Sequence, residues 1–177
     1  RYHDRFASLY EEGVDVAVLV GNLPNSSLIA RPVGHVRTIV CASPDYLARH
    51  GEPTVPEDLH QHRLIAAQPH QSRVQWSFHD DGQPLVIKAR TRLSCATLQT
   101  AIDAAANGAG VTRCLSYPLY DYLQSGRLRR VLPAYDPPSV PVHVVYRERR
   151  NASMRVRSFV TYIVERLREH PAMRPDG

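Results

Sequence analysis

The chain has 177 residues, of which 43% are hydrophobic and 22% charged, and its formal net charge is +5. This composition is typical of a globular chain rather than a disordered one, and the length permits one sizeable core or two smaller ones. The longest uninterrupted apolar run, Val16–Val20, is far shorter than the roughly 20 residues of a membrane-spanning helix. Because the first residues also lack the features of a secretory leader, we expect a cytoplasmic protein without membrane partners.

The positive charge comes almost entirely from arginine, since Lys88 is the one lysine among 22 basic residues. A nucleic-acid surface usually needs a basic stripe, with interleaved aromatic side chains if it binds single strands. The arginines here are scattered, apart from a group between the last strand and the last helix, formed by Arg147, Arg149, Arg150, Arg155 and Arg157. An ordinary solvated face is therefore the favoured interpretation of this group.

The three cysteines, Cys41, Cys95 and Cys114, are odd in number and widely spaced. This pattern excludes a disulfide framework and a zinc knuckle. Free cysteine is among the most frequently buried residue types. We therefore expect three buried thiols in a reducing compartment.

The first part of the chain predicts a short helix at Asp4–Glu12 and then a strand at Val14–Val20. The near-continuous apolar run of this strand is typical of a strand covered on both faces, at the centre of a sheet. A central strand needs a neighbour on each side, which Val142–Tyr146 or a strand before the first residue could provide. Further strands are predicted at Leu28–Val33, Arg37–Ala42, Arg63–Ala67, Val74–Phe78, Leu85–Arg90, Arg92–Cys95, Val111–Leu115 and Leu128–Leu132.

Helices are predicted between these strands. Ser43 as a cap with Pro44 at the first helical position indicates a helix over Pro44–His50, and an alanine-rich segment ending at Gly108 indicates another over Leu98–Asn107. The remaining helices are predicted at Pro56–Gln61, Tyr117–Gln124 and Ser153–His170, the last with an apolar side made of Val156, Phe159, Val160, Ile163 and Leu167.

The alternation of helices and strands predicts the α/β class with a largely parallel sheet. Asp80-Asp81-Gly82 is typical of a hairpin turn, and Trp76 and Phe78, which point the same way from one strand, are interpreted as core. The most linker-like part of the chain is Pro133–Pro141, in which four of the nine residues are prolines. Residues 172–177 are predicted to be a disordered tail.

Seven segments occur in the order and at the spacing of one known family. Together they resemble the effector-binding domain of LysR-type transcriptional regulators across nearly the whole chain. The segments are Glu12-Gly-Val-Asp-Val-Ala, Asn25-Ser-Ser-Leu-Ile-Ala-Arg, Val40-Cys-Ala-Ser-Pro-Asp-Tyr-Leu-Ala-Arg-His-Gly, Pro53…Pro56-Glu-Asp-Leu…His62-Arg, Trp76-Ser-Phe, Gly108-Ala-Gly-Val and Leu123…Gly126-Arg-Leu…Val131-Leu.

The resemblance implies two Rossmann-like subdomains of the type-2 periplasmic-binding-protein fold, with a small-molecule effector in the cleft between them. The first subdomain is expected to comprise residues 1–37 and 142–171, and the second, with the hinge segments, residues 38–141. Relative to the family, the winged helix-turn-helix and the first strand–helix–strand unit are absent. We therefore expect an N-terminally truncated chain with an incomplete first subdomain, which contacts DNA only through a domain that the chain lacks.

The resemblance also places candidate effector-binding residues. Ser94, Cys95 and Thr97 stand where a strand enters the alanine-rich helix, and free amides at a helix N-terminus attract carboxylates; simple N-capping is the alternative. Arg31 matches a position whose side chain can reach the cleft and could pair with a carboxylate, or it is an exposed strand arginine.

Three further residues complete the predicted site. Gly21 and Asn22 end the first strand at its carboxyl edge, where open α/β sheets bind ligands, although a tight turn would also require glycine. His3 could approach the cleft from the first helix. The site is thus expected to hold a small carboxylate-bearing effector.

No pattern indicates catalysis or a cofactor. His60 and His62 have no acidic or thiol partner at a metal-binding spacing, Gly108-Ala-Gly110 is too short for a dinucleotide fingerprint, and there is no Gly-x-Ser-x-Gly elbow. We expect a non-enzymatic sensor that forms homo-dimers or tetramers, with Leu98–Asn107 and Asp4–Glu12 as possible contact helices. A periplasmic-type solute-binding protein is the alternative, and a small hydrolase is a more distant one.

Overall fold

A computed structural model describes residues 14–23, 28–70, 72–147 and 154–174. The chain divides into two compact units, the first formed by Arg1–Val36 with Ser139–Gly177 and the second by Arg37–Pro138. The predicted helix Asp4–Glu12 and the candidate His3 lie outside the described residues.

The described strands are β1 (Val16–Val20), β2 (Leu28–Val36), β3 (Thr38–Ala42), β4 (Leu64–Ala66), β5 (Arg73–Asp80), β6 (Gln83–Ser94), β7 (Val111–Leu115), β8 (Arg129–Val131) and β9 (Val140–Arg147). The α-helices of the same residues are α1 (Pro44–His50), α2 (Leu98–Ala106), α3 (Tyr120–Gln124) and α4 (Met154–Glu169). Short 3₁₀ segments occupy Pro56–Gln61, Tyr117–Leu119, Pro133–Tyr135 and Pro171–Met173.

The first unit is built on a three-stranded antiparallel sheet of order β1-β9-β2. Among the described residues β9 lies in the middle and β1 at the edge, so the second neighbour predicted for Val14–Val20 is not among them. Val18 and Val20 of β1 are 48% and 40% exposed. A continuous apolar run indicates a strand, but which strand lies between two others depends on pairing with a segment more than 100 residues away. The predicted neighbour at Val142–Tyr146 is confirmed.

Helix α4 covers part of this sheet, and its buried residues are Val160 and Val164. Phe159, predicted on the apolar side, is 52% exposed. That prediction is wrong because the buried stripe of the helix follows Val160 and Val164, four residues apart.

The chain continues into an ordered turn over Pro171–Met173, so the predicted disorder is wrong for Ala172 and Met173, while residues 175–177 lie outside the described part of the chain. Ala172 and Met173 are 7% and 9% exposed. Gly34 of β2 lets Met173 approach closely, since a Cβ at Gly34 would lie 2.5 Å from the Met173 carbonyl oxygen. Packing against β2 therefore orders a segment whose proline-rich, polar composition had predicted disorder.

The second unit contains a six-stranded sheet of order β5-β6-β4-β7-β3-β8. Strand β4 runs parallel to β6 and β7, whereas the pairs β5–β6, β3–β7 and β3–β8 are antiparallel. The predicted α/β class is therefore correct, but the predicted largely parallel sheet is wrong. Alternation along the chain indicates the class, while strand direction depends on which strands become neighbours.

Two hydrophobic clusters form the core of the second unit. One contains Tyr46, Trp76 and Phe78, which confirms the predicted core role of the two strand aromatics. The other contains the helix residues Ala101 and Ile102 together with all three cysteines, Cys41, Cys95 and Cys114. The cysteines are free and buried, as predicted.

Local chemistry explains the elements whose bounds were predicted correctly. The Ser43 hydroxyl accepts a hydrogen bond from the Tyr46 N–H at 3.2 Å, which caps α1. Between β5 and β6 the two loop residues Asp81 and Gly82 have φ of 45° and 78°, the conformation that a tight hairpin turn requires. These features position the strands that carry the candidate site.

Candidate functional site

The turn from Ser94 to Thr97 connects β6 to α2 and is rigidly held. The Thr97 hydroxyl accepts a hydrogen bond from the Thr100 N–H at 3.1 Å and lies 2.9 Å from the Thr100 hydroxyl. The Cys95 N–H donates to the Ala66 carbonyl oxygen at 2.8 Å. Ser94 and Thr97 are exposed at the N-terminus of α2.

The electrostatics of this turn favour an anion. The first turn of α2 contains no acidic residue, and the amides at a helix N-terminus carry partial positive charge. Cys95 is only 5% exposed, and burial raises the pKa of its thiol. Because the Cys95 N–H is bonded to Ala66, a ligand at this turn would meet the exposed side chains of Ser94 and Thr97 rather than a thiolate.

Gly21 and Asn22 follow β1 in the first unit. The Gly21 N–H donates to the Pro141 carbonyl oxygen at 2.8 Å, and its φ is 108°. A Cβ at Gly21 would meet no atom within 4 Å, so the glycine is required for its backbone angle rather than for space. Asn22 is exposed.

Arg31 lies on β2 opposite Val144 of β9 and is exposed. Gly21 follows Val20, which pairs with Val142 on the other side of β9. The structure therefore keeps Arg31 and Gly21 apart within the first unit, separated by a strand. Ser94, Cys95 and Thr97 are brought together in the second unit.

Arg31 instead borders a groove that the sequence did not predict. The groove lies between β2, β9 and α4 and has a volume of about 400 Å³. Four of its lining residues are arginines, Arg31, Arg147, Arg157 and Arg168. The cluster of arginines near residue 150 was the signal available in the sequence, but a linear cluster does not reveal that Arg31 and Arg168 join it.

A second feature missed from the sequence is a partly buried ion pair in the second unit. Arg130 Nη2 contacts Asp136 Oδ2, and the Asp136 side chain is 2% exposed. Burial raises the pKa of Asp136, while the charge of Arg130 opposes that rise. Arg113, whose Nη2 donates to the Ser77 carbonyl oxygen at 2.8 Å, lies over the Phe78 ring. The ion pair thus ties Asp136 of the predicted linker Pro133–Pro141 to β8.

Within residues 14–23, 28–70, 72–147 and 154–174, no group of three or more His, Cys, Asp or Glu side chains could hold a metal ion. The helices in these ranges are too short or too polar to cross a membrane.

Comparison with known proteins identifies relatives across almost the whole chain. The family profile described as LysR substrate binding domain matches residues 2–168. The chain is 31% identical over 170 residues to the HTH-type transcriptional repressor PA14_22550 of Pseudomonas aeruginosa, a match that covers 95% of this chain and 54% of the repressor. The chain thus spans about half the length of such relatives.

Solved structures of similar fold are regulatory domains. The regulatory domain of AphB from Vibrio vulnificus superimposes with a TM-score of 0.75 at 32% identity, covering 87% of this chain and 76% of that one. The regulatory domain of CrgA, a LysR-type transcriptional regulator from Neisseria meningitidis, gives a TM-score of 0.77 at 27% identity and covers 93% of this chain and 81% of that one.

Proposed function

Because the chain belongs to the LysR substrate-binding domain family, we propose that it is the effector-sensing part of a LysR-type transcriptional regulator. The observation that carries the proposal is the family match over residues 2–168. The predictions of the family, of a periplasmic-binding-protein-like α/β fold and of a non-enzymatic class are confirmed, since the relatives are transcriptional regulators. The alternative of a periplasmic solute-binding protein is not favoured by these relatives.

We further propose that the effector is a small carboxylate-bearing molecule and that the turn Ser94–Thr97 receives its carboxylate. Support comes from two exposed hydroxyls beside a helix N-terminus that has no acidic residue in its first turn. Gly21 and Asn22, with His3, are the proposed contributors from the first unit. Hydrogen bonds to charged groups are stronger than those between neutral groups, so a carboxylate would gain more here than a neutral ligand.

A thermal-shift screen of aromatic and aliphatic carboxylates tests this site. We expect hits to raise the melting temperature of the parent chain and of Ser77→Ala, which makes the same replacement at an exposed position of β5 in the same sheet. Ser94→Ala and Thr97→Ala should lose most of the increase relative to their own ligand-free melting temperatures. Equal increases in all four proteins would show that the turn does not bind the effector.

Oligomerisation and DNA control are the remaining parts of the proposal. We propose that the chain associates into dimers or tetramers and that effector binding alters this association in the whole regulator. DNA recognition is assigned to an N-terminal winged helix-turn-helix. Light scattering of the chain, with and without a hit from the screen, tests the first part; a monomer at every concentration would contradict it.

A further inference from the structure

The groove in the first unit has the construction of a ligand site. Its floor is apolar and comes from Ile29 of β2 and from Val156, Val160 and Val164 of α4. The three valines are spaced four residues apart, so they form one stripe along the helix. Val160 and Val164 are 7% and 8% exposed. The volume of about 400 Å³ falls in the range of small-molecule pockets.

The rim of the groove is strongly basic. Arg31 of β2, Arg147 of β9 and Arg157 and Arg168 of α4 line it together with a single acidic residue, Glu165. Each of the three valines of α4 is followed in the sequence by a polar residue that also lines the groove. These residues are Arg157, Thr161 and Glu165. The groove therefore combines an apolar floor with an excess of three positive charges.

The arginine side chains of the rim differ in whether they have hydrogen-bond partners. Arg168 is fixed, because its Nε and Nη2 both donate to the Pro32 carbonyl oxygen, at 3.0 and 2.9 Å. In the described part of the chain, the side chains of Arg31, Arg157 and Glu165 form no hydrogen bond or ion pair. Two guanidinium groups, one on β2 and one on α4, are thus available beside an apolar floor.

We propose that this groove binds a small organic carboxylate with an apolar body. The body would cover the valine stripe, and the carboxylate would pair with the guanidinium groups of Arg31 and Arg157, whose planar donors match a carboxylate. All lining residues belong to the first unit, so the groove is a site separate from the turn Ser94–Thr97. The proposal reassigns Arg31 from the effector site to this groove and does not depend on the effector proposal.

Two-dimensional ¹H–¹⁵N NMR titration of the full chain tests the proposal, with 1-naphthoate as the probe and 1-naphthylmethanol as its neutral counterpart. We expect naphthoate to shift the amide signals of β2 and α4, and naphthylmethanol to bind more weakly. Added salt should weaken naphthoate binding because the paired charges are exposed. Absence of any shift at about 10 mM naphthoate, where even millimolar affinity is detectable, would overturn the proposal.

Variants on the same two elements sharpen the test. Arg31→Gln and Arg157→Gln should each weaken naphthoate binding by about two- to fivefold, the range for exposed ion pairs. Glu165→Gln should strengthen binding by about twofold, because it removes the single negative charge of the rim. Arg155→Gln is the matched control, since Arg155 is exposed on α4 but does not line the groove.

The outcomes separate this groove from the effector site. Thr161→Trp, which fills the groove from an exposed position, should abolish the shifts in β2 and α4, whereas Thr97→Ala should leave them unchanged. If Arg31→Gln and Arg157→Gln bind naphthoate as tightly as Arg155→Gln, the groove proposal is overturned. Shifts confined to residues near Thr97 would also overturn it, and would support the effector proposal instead.

Discussion

The two units of the chain differ in how their sheets are covered. In the second unit a six-stranded sheet carries two separate hydrophobic clusters. In the first unit a three-stranded sheet is packed by α4 and the turn Pro171–Met173. Among the described residues, exposed large apolar side chains are concentrated in the first unit, at Val14, Val18, Val20, Met154, Phe159 and Tyr162, against Val55, Val86 and Leu93 in the second.

Because of this difference, we expect the second unit to be the more stable one and the first unit to be more responsive to ligands. Burial of apolar area is the dominant stabilising contribution, so the second unit should open least readily. Regions with fewer buried apolar contacts open at lower free energies, and binding surfaces are often drawn from them. The groove under α4 lies in the less covered unit, which makes a ligand-dependent gain in its stability measurable.

The largest expected effect tests the core of the second unit. Phe78→Ala should lower the free energy of unfolding by about 3–5 kcal/mol, because a fully buried ring leaves a cavity. Val160→Ala, on the buried side of α4, removes less buried surface and should lower the free energy of unfolding by about 1–2 kcal/mol. Urea denaturation monitored by Trp76 fluorescence measures the first, and hydrogen exchange of β9 amides measures the second. Equal losses would contradict the proposed contrast between the units.

A smaller effect tests the contact that closes the first unit. A Cβ at Gly34 would lie 2.5 Å from the Met173 carbonyl oxygen and 2.6 Å from the Met173 Cβ. Gly34→Ala should therefore displace the turn Pro171–Met173 and cost about 1–3 kcal/mol. The expected readout is faster exchange of the Met173 amide, which donates to the His170 carbonyl oxygen at 3.0 Å.

The matched control for this prediction is His35→Ala, at the exposed neighbouring position of β2. It should change stability by less than about 0.5 kcal/mol. If the two variants exchange alike at Met173, the close approach of Gly34 does not order the turn.

A weaker effect depends on pH in the second unit. The His62 ring nitrogen Nδ1 lies 3.2 Å from the Tyr46 hydroxyl, and burial lowers the pKa of His62, although Asp58 opposes the shift. Since the unfolded chain then binds protons more readily, stability should fall as the pH drops below about 6.5. His62→Gln should flatten this fall, and His60→Gln, at an exposed position of the same turn, should not. The midpoints of urea denaturation, measured between pH 7 and pH 5, report this fall in stability. If the midpoints of the parent and of His62→Gln change equally with pH, His62 is not the cause of the fall.

The smallest expected effect is the reactivity of the cysteines. Burial raises the pKa of Cys114 to about 12 and raises those of Cys41 and Cys95. Since the thiolate is the reactive form, the folded chain should remain unmodified by iodoacetamide at neutral pH, while urea should expose all three thiols. Mass spectrometry counts the modified residues. Rapid modification of Cys95 in the folded chain would show that the hydrophobic cluster around Ala101 and Ile102 is open to solvent.

The local elements could be predicted from the sequence because their causes are local. The bounds of Pro44–His50 and Val111–Leu115 agree with the structure, as does the turn at Asp81 and Gly82. A capping serine, a proline at the first helical position and a two-residue turn depend on neighbours within about four residues. The resemblance of seven ordered segments was enough to indicate the family and its fold.

The candidate site was predictable in part. The residue types at the strand–helix junction left Ser94 and Thr97 as alternative caps of α2, and in the structure Thr97 is the cap. The effector-binding roles of Ser94, Cys95, Thr97, Gly21 and Asn22 remain predictions. The groove could not be predicted, because Arg31 and Arg157 are 126 positions apart in the sequence and meet only through the packing of α4 on the sheet.

From the residues alone, the α/β class, the family, the burial of the three cysteines and most of the described helices and strands could be predicted. Leu85–Arg90 and Arg92–Cys95, predicted as two strands, form the single strand β6. Tertiary packing places β9 between β1 and β2, makes most strand pairs of the second sheet antiparallel and brings Met173 against Gly34. Caps, turns and apolar periodicity are predictable because they act over a few residues. Strand order and groove formation instead depend on surfaces brought together from distant parts of the chain.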